Sequence, residues 1–274
     1  GLRRENHKVE YTVDEGLDGQ VTKAVSYDES KTSMTLGVNY SVSNTMALFA
    51  RTNQGYKMPY FDDFRDNYGA FTDGEHLIKD VAQYEFGHKY MTDKIQAYTT
   101  LFWNEVKGDT FVVRPGSPAQ TLTNEALGVE FDLNYMADNG VQLNLNATVQ
   151  DTEITASAEH QGNETQRQPA WQIRMTPSYD IELDDDRYVT LYGTLSAVDD
   201  RWGDNANTVT LEGYQKLDLG IIFEASDKVK LQLAIDNVTD EMGITEGDPR
   251  NPSAPNGRYI LPRSVKFSVS YQLF

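Results

Sequence analysis

The final fifteen residues, 260–274, constrain the fold more than any other stretch of this sequence. Apolar and polar side chains alternate strictly there, and one face carries Val265, Phe267, Val269, Tyr271 and Leu273. An alternation with a period of two predicts a β-strand with one apolar face. A chain that ends inside such a strand is typical of an outer-membrane β-barrel, because the last strand must pair with the first to close the wall.

Composition excludes several other classes of protein. The chain has 274 residues and a mean hydropathy of -0.58. No apolar run approaches the ~20 residues that a membrane-spanning helix needs. The sequence contains no cysteine, which excludes disulfides and a cysteine-ligated metal. Its formal net charge of -18 has the wrong sign for a nucleic-acid partner.

The rest of the chain repeats the alternation of its last strand. It predicts roughly a dozen strands with no helix between them, most of them as long as the ~9–11 residues that cross a bilayer obliquely. Short turns alternate with long polar loops, which we place at 14–30, 59–74, 108–122, 154–167 and 240–258. The pattern predicts an all-β fold, an antiparallel transmembrane β-barrel with about 12 strands in this chain.

The two faces of the predicted strands differ. Each strand that runs toward a short turn ends with an aromatic residue on its apolar face: Tyr40, Tyr90, Tyr135, Tyr179, Phe223 and Tyr271. This recurrence predicts the aromatic girdle of a membrane barrel, with the β-propensity of tyrosine as the alternative explanation. The opposite face is polar and would line a wet lumen or contact a plug: Glu130, Asp132, Asn134, Gln142, Asn144, Asn146, Thr148, Arg174, Asp218 and Gln232.

The size of the barrel is a separate expectation. Twelve strands alone would close into a narrow polar tube. Residues 1–5 are not followed by the apolar core of a secretion signal, so we expect a mature fragment whose upstream part is missing. Residues 1–274 would then form the carboxy-terminal part of a larger barrel wall.

A series of short motifs follows in order along nearly the whole chain. They are Gly55-Tyr56-Lys57-Met58-Pro59, Tyr84-Glu85-Phe86-Gly87-His88-Lys89, Leu101-Phe102-Trp103-Asn104, Gly128-Val129-Glu130, Asn237-Val238-Thr239-Asp240, Thr245-Glu246-Gly247-Asp248-Pro249-Arg250 and the terminal Phe274. Each motif is weak by itself, but their order and spacing resemble the carboxy-terminal barrel of TonB-dependent outer-membrane receptors.

The resemblance implies both a fold and a function. The fold would be the carboxy-terminal portion of a 22-stranded barrel in the bacterial outer membrane, in contact with lipid, with the plug domain upstream. The function would be energised, TonB-dependent uptake of a bulky nutrient such as a siderophore or an oligosaccharide. The implied partners are the TonB complex, reached through the missing plug segment, and the nutrient ligand, with a surface lipoprotein as a further candidate. No cofactor is implied.

Other functions stay open on the sequence. One is a passive channel, or a structural or surface-partner barrel, without energised uptake. An outer-membrane enzyme would need a Ser/His pair on adjacent strands, and none is in phase; the sequence also lacks Gly-x-Ser-x-Gly and His-Glu-x-x-His. We therefore predict that the chain is not an enzyme. A soluble lectin-like sandwich is the remaining alternative.

The candidate ligand-binding residues are aromatic and arginine side chains of the long loops. They are Tyr60, Phe61, Phe64, Tyr68, Phe71, Arg114, Trp202 and Arg250. Exposed rings can stack on sugars or on aromatic chelators, and arginines bind anionic groups with two parallel hydrogen bonds. The alternative is that these rings pack against each other or against the plug. Histidines in loops, such as His76 and His160, are expected to be solvated rather than to bind a metal.

Overall fold

The structure is a computed structural model that describes residues 1–13, 23–59, 78–111, 120–184, 187–247 and 257–273. The strands of these residues are β1 (Leu2–Val13), β2 (Lys23–Ser41), β3 (Met46–Lys57), β4 (Lys79–Met91), β5 (Ile95–Phe111), β6 (Gln120–Met136), β7 (Val141–Ala156), β8 (Trp171–Glu182), β9 (Tyr188–Val198), β10 (Arg201–Trp202), β11 (Thr210–Leu211), β12 (Tyr214–Ser226), β13 (Val229–Asp236), β14 (Ile244–Gly247), β15 (Gly257–Tyr259) and β16 (Ser264–Tyr271).

Twelve of these strands form one antiparallel sheet whose spatial order follows the chain: β1-β2-β3-β4-β5-β6-β7-β8-β9-β12-β13-β16. The other four form two ribbons, β10-β11 and β14-β15, inside long connections. The sheet confirms the predicted all-β, antiparallel fold class with about 12 strands. Within the described part of the chain, no helix is long and apolar enough to span a membrane.

Several strands extend further than the sequence predicted. The loop expected at 14–30 is wrong from Lys23 onward, since β2 begins there and pairs with β1 from Val13↔Lys23 through Leu2↔Met34. The loop expected at 108–122 is likewise shorter, because β5 continues to Phe111 and β6 begins at Gln120. Gly108 has φ 74° and forms a bulge that keeps the ladder intact. Outside the apolar band both faces are polar, so period-two hydropathy no longer marks a strand.

The register carries the alternation across the whole sheet. Val38 lies opposite Ala50, Ala50 opposite Phe86, Phe86 opposite Leu101 and Leu101 opposite Val129. These side chains share one face, and most of the large ones are exposed. A face of exposed Leu, Val and Phe this wide is larger than soluble monomers tolerate, and it is what lipid requires.

The short connections lie together at one end of the sheet. Val42 N donates to Met46 O at 2.8 Å, and Ala137 N donates to Val141 O at 2.8 Å, so each turn is closed by its own backbone. Neighbouring turns are also linked, because Lys94 forms an ion pair with Asp138. The hydrogen bond from Lys94 to this carboxylate, together with its charge, raises the pKa of the lysine above its ordinary value.

Three glycines on the polar face are covered by aromatic rings of the neighbouring strand. A Cβ at Gly87 would lie 2.3 Å from the Phe49 ring, and one at Gly128 would lie 2.5 Å from the Phe102 ring. Gly220 has the same relation to Tyr192, at 2.2 Å. Any larger residue at these glycines would displace a ring. Gly87 and Gly128 belong to two of the short motifs named above. Packing of these rings therefore explains why each motif has glycine at that position.

Candidate functional site

The polar face of the sheet is a wall of hydrogen-bonded side chains. Four pairs join adjacent strands at the same height: Arg51 to Glu85 at 2.6 Å, Asn53 to Gln83 at 3.1 Å, Asn144 to Asn134 at 2.6 Å and Thr176 to Thr194 at 3.0 Å. A fifth pair crosses β12, where Gln232 of β13 donates to the Tyr192 hydroxyl of β9 at 2.9 Å. Such cross-strand pairs stabilise a sheet and order the surface that they form. This face can therefore present fixed donors and acceptors to an occupant of the lumen.

Aromatic residues border the apolar face at both of its ends. The six predicted girdle residues all lie on this face in the strand segments next to the short turns, with Tyr40 at 66% and Tyr271 at 61% exposure. Near the opposite end, the Tyr84 and Trp103 ring centroids are 5.4 Å apart, and Trp103 Nε1 donates to Glu125 Oε2 at 3.2 Å. Two aromatic borders separated by an apolar band define a membrane-spanning wall.

At the other end of the sheet, three long connections fold against each other. We call residues 157–170, 199–213 and the described part of 237–263 the loop cluster. Asn163 Nδ2 donates to Asn205 O at 2.8 Å, and Glu164 N donates to Asn207 Oδ1 at 2.8 Å. Asn207 Nδ2 returns a bond to Glu164 O at 3.0 Å. These reciprocal hydrogen bonds join the first two connections.

Arg167 joins all three connections of the loop cluster. Its backbone N donates to Trp202 O at 2.6 Å. Its guanidinium forms an ion pair with Glu246 at 2.7 Å and donates to Gly247 O at 2.9 Å. Glu246 also pairs with Arg258 at 3.1 Å. This network gives the region around Trp202, the predicted ligand residue that the structure describes, a fixed backbone.

Arg201 is the buried cation of the loop cluster. It is 7% exposed, its Nη2 donates to Ile244 O, and its guanidinium carbon lies 5.8 Å from the centroid of the Tyr214 ring. Gly243 packs on the same ring, where a Cβ would lie 2.4 Å from it. The arginine therefore helps to seat ribbon β14-β15 on the inner side of the mouth, through its hydrogen bond to Ile244 O and its stacking on Tyr214.

Asn237 closes the base of the last long connection. It is 1% exposed, has φ 52°, and its amide donates to Glu241 O at 2.9 Å and to Leu261 O at 3.0 Å. Its Oδ1 accepts from Glu241 N at 2.9 Å. Asp240 accepts from Arg263 N at 2.9 Å. The Asn-x-x-Asp motif is thus a clip that ties the two ends of this connection together.

The structure describes one of the eight predicted ligand residues. Trp202 lies half-buried in β10 within the loop cluster. The others lie outside the described residues: Tyr60, Phe61, Phe64, Tyr68, Phe71, Arg114 and Arg250. Sequence reasoning missed Arg167, Glu246 and Asn207, which form bonds with residues as far as 43 to 80 positions away in sequence. The one sequence signal for Glu246 was its place in the motif Thr245-Glu246-Gly247-Asp248-Pro249-Arg250.

These features define a class of protein: an antiparallel transmembrane β-barrel wall with a lipid face, a polar lumen and long connections at one end. A family model described as "TonB dependent receptor-like, beta-barrel" matches residues 1–238. The pesticin receptor of Yersinia enterocolitica is 24% identical over 247 residues, which cover 87% of this chain and 36% of that protein.

Solved structures share the fold. The ferric yersiniabactin uptake receptor FyuA of Yersinia pestis matches with a TM-score of 0.78 and 18% identity, over 92% of this chain and 39% of that one. The siderophore receptor PiuA of Acinetobacter baumannii matches with a TM-score of 0.80 and 16% identity, over 98% and 40%. The chain thus spans about two fifths of the length of these relatives.

The chain belongs to the TonB-dependent receptor family, as part of its β-barrel. The wall that it forms lies in the bacterial outer membrane. The alternatives of a soluble sandwich and of an outer-membrane enzyme are rejected, because this is a family of membrane receptors.

Proposed function

We propose that this chain is the carboxy-terminal part of the barrel of an energised outer-membrane transporter for a bulky iron chelate. Membership of the TonB-dependent receptor family is the observation that carries the proposal. The pesticin receptor, the ferric yersiniabactin uptake receptor and the siderophore receptor PiuA are relatives or fold neighbours, and they favour a siderophore over an oligosaccharide.

The complete protein would supply what this chain does not contain. Ten further strands would close a 22-stranded barrel, and a plug domain with its TonB-contacting segment would fill the lumen. The paired side chains of the polar face support this, because an ordered polar wall suits a folded occupant better than a water-filled pore. The long connections would face outward and the short turns would face the periplasm.

The ligand would first meet the long connections. The rings of Tyr60, Phe61, Phe64, Tyr68, Phe71 and Trp202 would provide apolar contact area, and Arg114 and Arg250 would bind anionic groups of the chelate. The ordered backbone of the loop cluster supports a fixed position for Trp202. A surface lipoprotein that covers this mouth is a further candidate partner.

Uptake of radioactive iron by intact cells tests the proposed function. Cells that produce the complete protein should accumulate ⁵⁵Fe supplied as a siderophore complex, and cells that lack the receptor gene should not. Loss of TonB should abolish accumulation while the receptor remains in the outer membrane. Uptake that continues without TonB would instead support the passive-channel function.

A triple substitution tests the aromatic vestibule. Tyr60→Ala, Phe64→Ala and Tyr68→Ala together should weaken siderophore binding at least tenfold, because each stacked ring contributes on the order of 1 kcal/mol. Binding is measured by equilibrium titration of the purified receptor. Heat-resistant migration of the barrel and normal surface display are the controls for folding. Unchanged affinity would assign the contacts to the lumen wall or to the plug.

A further inference from the structure

A depression of about 290 Å³ lies in the lumenal wall where β7, β8 and β9 run side by side. Its polar side chains come from two adjacent rows of the register, in which Thr148 faces Gln172 and Asn146 faces Arg174. Ser196 lies opposite Arg174 on the next strand. We call this depression the Arg174 pocket. It is separate from the loop cluster, and its lining belongs to the rigid sheet.

Four of the five polar side chains that line the Arg174 pocket have no partner among the described residues, and Asn146, which bonds to Asp132, is the fifth. Within the described part of the chain, Thr148, Gln172, Arg174 and Ser196 make no side-chain hydrogen bond or ion pair. Neighbouring positions of the wall, such as Asn144 with Asn134 and Thr176 with Thr194, are paired. Unused donors and acceptors on a rigid surface are what a ligand site requires, since binding then breaks no bond within the protein.

Among the residues that the structure describes, Arg174 also has no carboxylate partner, although carboxylates are abundant in the chain. The sequence has 42 acidic and 24 basic residues, and several other lumenal cations are ion-paired with them: Arg51 with Glu85, Lys216 with Asp218, Lys230 with Glu224 and Lys266 with Asp236. Lys89, on the same face, instead lies over the Phe49 ring. The nearest acidic residue in the same row of the sheet as Arg174 is Asp132, two strands away. Asn146 lies between the two residues and donates to Asp132 Oδ1. The wall therefore holds a guanidinium whose charge is not neutralised.

We propose that the Arg174 pocket binds a carboxylate or a similar oxyanion. The guanidinium can form two parallel hydrogen bonds to such a group, and the Ser196 and Thr148 hydroxyls and the Gln172 amide can donate to its remaining lone pairs. The proposal rests on the proposed function, in which the polar face encloses an occupied lumen. The oxyanion comes either from an acidic side chain of the lumen-filling segment or from the transported solute.

Arginine modification in the complete, purified receptor tests the pocket without iron or a known siderophore. p-Hydroxyphenylglyoxal is the reagent, mass spectrometry gives the rate at each arginine, and Arg258, which is 82% exposed, is the reference. Succinate is the oxyanion probe, and sodium chloride at equal ionic strength is its control. If the site takes an oxyanion from solution, succinate slows modification of Arg174 saturably and leaves Arg258 unchanged. Ser196→Ala should then weaken this protection several-fold.

If the oxyanion is internal, Arg174 is unreactive before succinate is added. Arg174→Gln should then raise the amide hydrogen-exchange rate of the segment that covers the pocket by roughly tenfold, the usual effect of losing a charged hydrogen bond. The matched control is Lys89→Gln, which removes the same charge from the same face, at a lysine whose ammonium lies 5.0 Å from the Phe49 ring centroid.

Two results would overturn the proposal. One is an Arg174 that reacts as fast as Arg258 and is insensitive to succinate. The other is an unreactive Arg174 whose replacement by Gln has no more effect on hydrogen exchange than Lys89→Gln, since steric cover alone would explain that. Neither result bears on iron accumulation, so failure here and failure of the proposed function are distinguishable.

Discussion

The two ends of the barrel wall are held together in different ways. At the short-turn end, bonds close within a few residues, as between Val42 and Met46, and adjacent turns share the Lys94–Asp138 ion pair. In the loop cluster, the ties join residues far apart in the chain, as between Arg167 and Glu246. One end of a barrel wall can thus be encoded by local sequence, while the other end is built by tertiary contacts.

The largest expected effect concerns which end faces outward. In a cysteine-free background, Glu159→Cys in the loop cluster should react with a membrane-impermeant maleimide on intact cells. Asn139→Cys in a short turn should react only after permeabilisation, because the outer membrane shields the periplasm. The measurement is labelling of the complete protein, and permeabilised cells supply the control. Labelling of Asn139→Cys alone would invert the proposed orientation.

The next largest effect concerns the stability of the wall between the two ends. Leu145→Arg should cost about 2–4 kcal/mol, because a cation would replace an apolar side chain near the bilayer midplane. The neighbouring Asn144→Arg should cost about 1 kcal/mol or less, since it faces the lumen and loses one hydrogen bond to Asn134. Urea titration of the receptor in lipid vesicles measures both. Equal costs would mean that the assignment of the two faces is wrong.

Replacing Asn237, at the base of the loop cluster, should destabilise this region although the side chain carries no charge. Asn237→Ala should destabilise the last connection by about 2 kcal/mol, because three backbone partners of the buried amide lose their bonds. Asn237→Gly loses the same bonds but tolerates the positive φ, so the two variants separate bonding from backbone strain. Hydrogen exchange in 238–247 is the readout, with β13 amides as the reference. A rise in hydrogen exchange spread evenly over the sheet would contradict the role of Asn237 as a local clip.

The smallest effect is expected at the short turns. Asp138→Asn removes the ion pair with Lys94, but both side chains are exposed, at 82% and 53%, so unfolding in urea should not change measurably. Because the pairing raises the pKa of Lys94, its contribution is complete below the ordinary lysine pKa and is lost only at strongly alkaline pH. A clear difference between pH 6 and pH 8 would show that the turns are coupled more strongly than their geometry indicates.

Much of the wall could be predicted because the alternation within each strand identifies its apolar and polar faces. The alternation around Val38, Leu101 and Val129 is local, and the register of the sheet then follows from short turns such as Asp138-Asn139-Gly140. The alternation failed at Lys23–Ser30, where both faces are polar and only pairing with β1 makes the segment a strand. The candidate site was less predictable: aromatic residues pointed to the loops, and the alternation placed Arg174 on the lumenal face, but nothing local indicated the partners of Arg174 or Arg167.

The fold class, the lipid and lumen faces of each strand and the position of the girdle follow from the order of the amino acids alone, because these features depend on a two-residue period. The contacts made on those faces depend on how the strands come together. The structure shows that Phe49 and Phe102 cover the motif glycines, that Asn237 clips the last connection and that Arg174 has no carboxylate partner among the described residues. These facts depend on which residues of different strands meet, and the distances in sequence between them are too long for any local pattern to record.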